Sequence, residues 1–100
     1  MRDRLQVLVC YDVETATVEG EARLRRMAKA CEAYGQRVQY SVFELDVTPV
    51  LLERFLQRAI GVMNPSLDSL RVYLLSGPRD RYLQVYGRDG WRDFQGPLIV

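Results

Sequence analysis

Apolar and polar positions along this chain switch between two periods, and the switches mark the elements. Leu5–Tyr11 (Leu-Gln-Val-Leu-Val-Cys-Tyr) is mostly apolar on both faces, the pattern of a central strand. Asp12 opens a loop that runs through Val18 and carries Thr15 and Thr17. From about Glu19 to Tyr34 the period becomes helical. Leu24, Met27, Ala28, Cys31 and Tyr34 form one stripe, and Arg23, Arg25, Arg26 and Lys29 lie off it. Glu19 and Glu21 favour the N-terminal end of that helix, and Gly35 is a natural stop. Arg37–Val47 is extended, long enough for two short strands meeting at a tight bend near Tyr40-Ser41 or for one strand with a bulge. Thr48-Pro49 starts a second helix, with threonine as cap and proline at the first helical position. Its stripe is Leu52, Phe55, Leu56, Ala59, Ile60 and Met63, and Asn64-Pro65 ends it.

Leu70–Ser76 sets Leu70, Val72 and Leu74 against Arg71, Tyr73 and Leu75, a strand buried on one face. Gly77-Pro78 turns the chain, and Tyr82–Tyr86 is a candidate for one more strand before the charged run Arg88–Asp93. The order β-α-β-β-α-β with an extra C-terminal strand predicts an α+β fold, the ferredoxin-like sandwich, as a single domain over residues 1–100. Two helices then cover one face of the sheet. The other face keeps apolar side chains that a chain of this size cannot cover alone, so a homodimer is expected. Residues 94–100 end in Leu98-Ile99-Val100 and read as a C-terminal extension packing on the partner subunit.

Composition narrows the chemistry. A hydrophobic content of 48% belongs to a folded chain rather than a disordered one. No apolar run reaches the roughly 18 residues of a membrane span. Met1-Arg2-Asp3-Arg4 leads straight into the first strand without the apolar block of a signal peptide, so the expected location is cytoplasmic. Cys10 and Cys31 read as small buried hydrophobes, because two thiols make neither a zinc framework nor a disulfide scaffold. Histidine is absent, which removes imidazole acid–base chemistry, Ser-His and Cys-His nucleophiles and the usual zinc sites. The net charge of +1 does not announce a nucleic-acid binder. Thirteen of the fourteen basic residues are arginine, which suits bidentate phosphate contacts, although a GC-rich genome produces the same bias.

Two segments stand out from this frame. The first strand ends in Tyr11-Asp12, and Arg37–Glu44 reads Arg-Val-Gln-Tyr-Ser-Val-Phe-Glu, with polar and amphipathic residues set into a segment of otherwise high β propensity. In both, and in length and element order, the chain resembles the CRISPR-associated protein 2 family of the spacer-acquisition machinery; the likeness weakens after about Tyr82. The resemblance implies a ferredoxin-like homodimer whose C-terminal segments reach the partner subunit. It implies that Asp12 is the metal-binding and catalytic position, for Mg²⁺ or Mn²⁺ shared across the dimer two-fold. It further implies functional arginines in the first helix, for which Arg23, Arg25 and Arg26 are the candidates. Arg37 and Phe43 match family positions directly.

Read from the residues alone, the same positions have plainer alternatives. Asp12 could be a turn aspartate. Arg23, Arg25 and Arg26 could be a solvated charged face balanced by Glu21 and Glu32. Arg37 could contact phosphate or a neighbouring carboxylate. Phe43 suits core or interface better than chemistry. Tyr11 and Tyr40 could orient water or the carboxylate, or serve as amphipathic walls, and Glu14 reads as a surface residue. Ser41 has no histidine to activate it. Trp91 and Phe94 suit docking on the partner subunit better than base stacking. One carboxylate per chain makes a thin site for Mg²⁺, which a two-fold axis near Asp12 would double.

The resemblance therefore implies a CRISPR adaptation protein, a homodimeric adaptor between pairs of the integrase CRISPR-associated protein 1. It would hold double-stranded DNA by its phosphates. The family is also described as metal-dependent endonucleases on RNA or DNA, which makes a Mg²⁺-dependent phosphodiester hydrolase acting on DNA or single-stranded RNA a further expectation. A toxin-type ribonuclease of similar fold is the alternative, and a ligand-sensing regulator is a third.

Overall fold

A central strand whose two faces have different fates organises the molecule. The computed structural model describes residues 4–89. Its elements are β1 (Leu5–Asp12), α1 (Val18–Glu32), β2 (Gly35–Gln39), β3 (Val42–Val47), α2 (Pro49–Val62), β4 (Ser69–Leu75) and a short α3 (Arg79–Tyr82). The strands form one antiparallel sheet in the order β2-β3-β1-β4. β1 lies between β3, from Leu5↔Val47 to Cys10↔Val42, and β4, from Gln6↔Leu75 to Asp12↔Ser69. This is the α+β ferredoxin-like order expected from the sequence.

Val7, Val9 and Tyr11 of β1 point to the helices and are buried, together with Phe43, Leu45 and Val47 of β3. Met27, Ala30 and Cys31 of α1 and Phe55 and Ala59 of α2 close the core from above. Each fully buried large side chain contributes about 1.5–3 kcal/mol of transfer free energy. The helix starts are capped: Thr17 Oγ1 accepts the Gly20 N–H at 3.0 Å, and Thr48 Oγ1 accepts the Leu51 N–H at 3.2 Å behind Pro49. The extended segment resolves as two strands joined at Tyr40-Ser41, with a register shift between Arg37 and Gln39. The other sheet face carries Leu8, Cys10, Val42, Tyr73 and Leu75 outside the cover of α1 and α2, and Glu44 on the same face takes Arg79 of α3.

Several expectations are corrected. Leu24 is 37% exposed and Ala30 takes its place in the core, because α1 turns its Met27–Ala30–Cys31 line toward α2 and the sheet. Ile60 is 59% exposed: it sits one helical step, about 100°, round from the buried Ala59. Leu74 is 65% exposed because α1 packs on β2 and α2 on β3, leaving the β4 edge outside their cover. Cys10 is only half-buried, on the open face.

Gly35 does not end α1. The helix stops at Glu32, and Gly35 is the first residue of β2, where a Cβ would lie 2.4 Å from the Glu44 carbonyl oxygen. The strand expected over Tyr82–Tyr86 does not form: Tyr82 closes α3, and the residues after it pair with no strand among the described residues. The segment starts instead as α3, which Arg79 ties to β3 by gripping the Glu44 carboxylate with Nε and Nη2 at 2.7 and 3.1 Å. The C-terminal extension over 94–100, with Trp91 and Phe94, lies outside the described residues.

Candidate functional site

Asp12 is the last residue of β1, at the rim of the sheet, and its side chain is exposed. The preceding residue is fixed on its outer side, where the Tyr11 N–H donates to the Ser41 carbonyl at 3.1 Å. That bond draws the β2–β3 turn against the end of β1. A cleft of about 460 Å³ opens there, lined by Asp12, Val13 and Thr15, by Leu24, Arg25 and Ala28 of α1, and by Arg37, Tyr40 and Ser41 of the hairpin. The structure thus brings Asp12, Arg25 and Arg37 to one cleft. Arg26 is exposed on α1 but outside the cleft lining.

The acids near Asp12 differ in what they can do. The Asp12 carboxylate makes no hydrogen bond or ion pair among the described residues. Glu14 Oε1 accepts the Ala16 N–H at 2.7 Å. Asp68 is buried and held by Arg23, Nε to Oδ2 at 2.8 Å. The Arg23 guanidinium, helped by the N–H groups of Asn64 and Glu14, draws the Asp68 carboxyl down to about 2 although burial opposes it. No group of three or more His, Cys, Asp or Glu among the described residues could hold a metal ion. What one chain presents is a single unclaimed hard-oxygen donor, chemically suited to Mg²⁺ or Mn²⁺ and short of a full ligand set.

The remaining expected site residues sort clearly. Arg37 stands over the Phe43 ring, its guanidinium carbon 5.1 Å from the centroid, and pairs with Glu32 at 3.7 Å with its side chain 45% exposed. It therefore meets a neighbouring carboxylate while still facing the cleft. Phe43 is wholly buried and belongs to the core. Tyr11 is 5% exposed, stacks on Phe43 with ring centroids 6.1 Å apart and also lines the cleft beside Asp12, so it is a wall shared by core and cleft. Arg23 is not on a solvated face: its side chain is 12% exposed and spent on Asp68. Cys31 is buried, which pushes its thiol up to about 12 and leaves it inert.

Asp68 is the residue that sequence reasoning missed. Its only local signal is its place in the polar run between α2 and β4, where its carboxylate accepts the Asn64 N–H at 2.8 Å.

No helix among the described residues is long and apolar enough to cross a membrane. Residues 5–81 match the family of CRISPR associated protein Cas2. A curated relative from Chlorobaculum tepidum, named CRISPR-associated endoribonuclease Cas2, is 46% identical over 94% of this chain and 98% of its own length. One from Moorella thermoacetica, named CRISPR-associated endoribonuclease Cas2 1, is 41% identical over 96% of this chain and all of its own length. The crystal structure of Streptococcus pyogenes Cas2 is similar with a TM-score of 0.73 and 45% identity, covering 82% of this chain and 99% of that one.

Proposed function

Because this chain belongs to the CRISPR-associated protein Cas2 family, we propose that it is a homodimeric adaptor of CRISPR spacer acquisition. It docks between pairs of the integrase CRISPR-associated protein 1 and holds duplex DNA by its phosphates. The observation that carries this reading is the sheet face left uncovered by α1 and α2, on which half-buried Leu8, Cys10, Val42 and Leu75 and the 43% exposed Tyr73 form an apolar surface for a second copy. Arg25, Arg26 and Arg37 are exposed and supply the phosphate contacts. Family membership favours this reading over a toxin-type ribonuclease or a ligand-sensing regulator of similar fold.

The test combines the purified chain with the integrase of its own CRISPR locus and a short duplex, and follows insertion of that duplex into a repeat. Formation of a complex that inserts only when both proteins are present supports the adaptor. A monomer at micromolar concentration by sedimentation, or insertion that does not need this chain, would sink it.

A second reading rests on the unclaimed Asp12 carboxylate and on the endoribonuclease names of the two relatives. In it the dimer is also a Mg²⁺- or Mn²⁺-dependent phosphodiester hydrolase on single-stranded RNA or DNA. The Asp12 residues of both subunits would hold the ion, which when bound polarises the phosphodiester and lowers the pKa of its water. Arg25 and Arg37 orient the phosphate across the cleft. With no histidine in the chain, the proton leaves to a carboxylate or to solvent. Cleavage of labelled RNA or DNA that stops on chelation and in Asp12→Ala supports the hydrolase; activity surviving either change removes it.

A further inference from the structure

The backbone of Glu14, two residues beyond Asp12, is held from three sides. Its N–H donates to Asp68 Oδ1 at 3.0 Å. Its carbonyl accepts from Arg23 Nη2 at 3.4 Å. From below, α1 approaches so closely that a Cβ on Gly20 would lie 2.0 Å from the same carbonyl oxygen. Arg23 and Asp68 are themselves locked together, Nε to Oδ2 at 2.8 Å and Nη2 to Oδ1 at 3.3 Å, and Asn64 N–H fixes the far oxygen at 2.8 Å. Two segments, α1 and the turn before β4, therefore converge on one backbone unit, the N–H and C=O of Glu14. Between that unit and Asp12 stands only Val13, itself 8% exposed and packed in the core.

We infer that Arg23 and Asp68 act together as positioning residues for Asp12, clamping the Glu14 backbone so that the carboxylate is held at the cleft rim. This rests on the assignment of Asp12 as the metal-holding carboxylate. The pair sits where little water reaches it, with side chains 12% and 0% exposed, so its geometry is well determined. Arg23 could bind a phosphate only by leaving Asp68 as an uncompensated buried charge. It serves the site through the backbone, and the phosphate contacts fall to Arg25, Arg26 and Arg37. The consequence for catalysis is that of an outer-shell partner: the carboxylate survives its loss but loses its aim.

The experiment compares the full chain with Asp68→Asn, Arg23→Gln, their double variant and Gly20→Ala, which pushes on the Glu14 carbonyl without touching the ion pair. Amide exchange by NMR should accelerate about tenfold or more at Glu14, while the amides of Val7 and Phe43 stay protected. The side-chain carboxyl carbon shift of Asp12 should move in every variant. Metal-dependent kcat should fall about 10- to 100-fold with KM little changed, and the double variant should be no worse than the poorer single, as for residues acting as a unit. Gly20→Ala keeps the ion pair and carries the test should the other variants not fold. A Glu14 amide and an Asp12 signal that stay unchanged in a folded variant overturn the inference. So does a loss confined to nucleic-acid affinity in Arg23→Gln with a shallower salt dependence, since that would make Arg23 a phosphate contact. If the wild-type chain cleaves nothing, the hydrolase reading fails on its own, and the clamp is judged by the Glu14 exchange and the Asp12 signal.

Discussion

Arg37 lies across the β2–β3 pair from Phe43, its guanidinium carbon 5.1 Å above the ring, so one of the cleft's two arginines is seated on the core. The flat, delocalised guanidinium suits that seat in a way an ammonium does not. Arg37→Lys keeps the charge and loses the stacking. It should lower stability by about 0.5–1 kcal/mol, the range for a cation over a ring at an exposed site, as measured by urea denaturation. A variant as stable as wild type would show that the stack is incidental.

Phosphate binding by Arg25, Arg26 and Arg37 has a signature in salt. Each change to alanine should reduce the slope of log K against log salt by about 1 and weaken all sequences alike. Filter binding or fluorescence anisotropy over a salt series reads this directly. A variant whose affinity falls for one sequence only would point to base readout instead.

The Asp12 side chain is exposed and makes no hydrogen bond or ion pair among the described residues, so its removal should leave the fold untouched. Asp12→Ala should change unfolding free energy by less than about 0.5 kcal/mol while abolishing metal-dependent cleavage. Integrase binding and duplex insertion should persist. Insertion lost in a folded variant would assign Asp12 to assembly.

Acid should unlock the Arg23–Asp68 pair within a defined window. Asp68 is held at about 2 in the folded chain, below the about 3.9 of a free aspartate. A carboxyl depressed on folding stabilises above its unfolded value, and that contribution is lost as pH falls toward the folded one. The gap in thermal midpoint between wild type and Asp68→Asn should therefore be full at neutral pH and close between about pH 4 and pH 2. A gap constant across that range would mean that the pair does not depend on the charge of Asp68.

The elements were legible because their signals are local. The apolar run of Leu5–Tyr11, the Thr48-Pro49 start and the bend at Tyr40-Ser41 each announce themselves within a few residues, and Asp12 follows from the strand it ends. Arg23 was misread because its partner lies 45 residues away, and nothing on its own helix says that it faces inward. Leu24 and Ala30 exchanged places because a stripe gives a direction only to within one helical step, and contact with α2 settles the rest. Gly35 looked like a helix stop, but its reason for being glycine is the Glu44 carbonyl in a neighbouring strand. Tyr82–Tyr86 has the composition of a strand, but Tyr82 closes α3, which is tied to β3 by another distant contact, Arg79 to Glu44.

The placing of β1 at the centre of the sheet has a consequence for how the protein is made. β1 leaves the ribosome before the other three strands, yet one of its neighbours is β3 and the other is β4, whose Leu75 pairs with Gln6. At roughly 5–20 residues per second, the most apolar strand waits several seconds of synthesis for its last partner, during which the edge that β4 will take can find other chains. Pairings this remote in sequence also slow the search for the native arrangement. Asp12 faces Ser69, and Asp68 immediately precedes it. A nascent chain stalled before Asp68 therefore carries the Asp12 carboxylate and Arg23 without the residue that locks Arg23 in place, and the rim of the cleft is completed only late in translation.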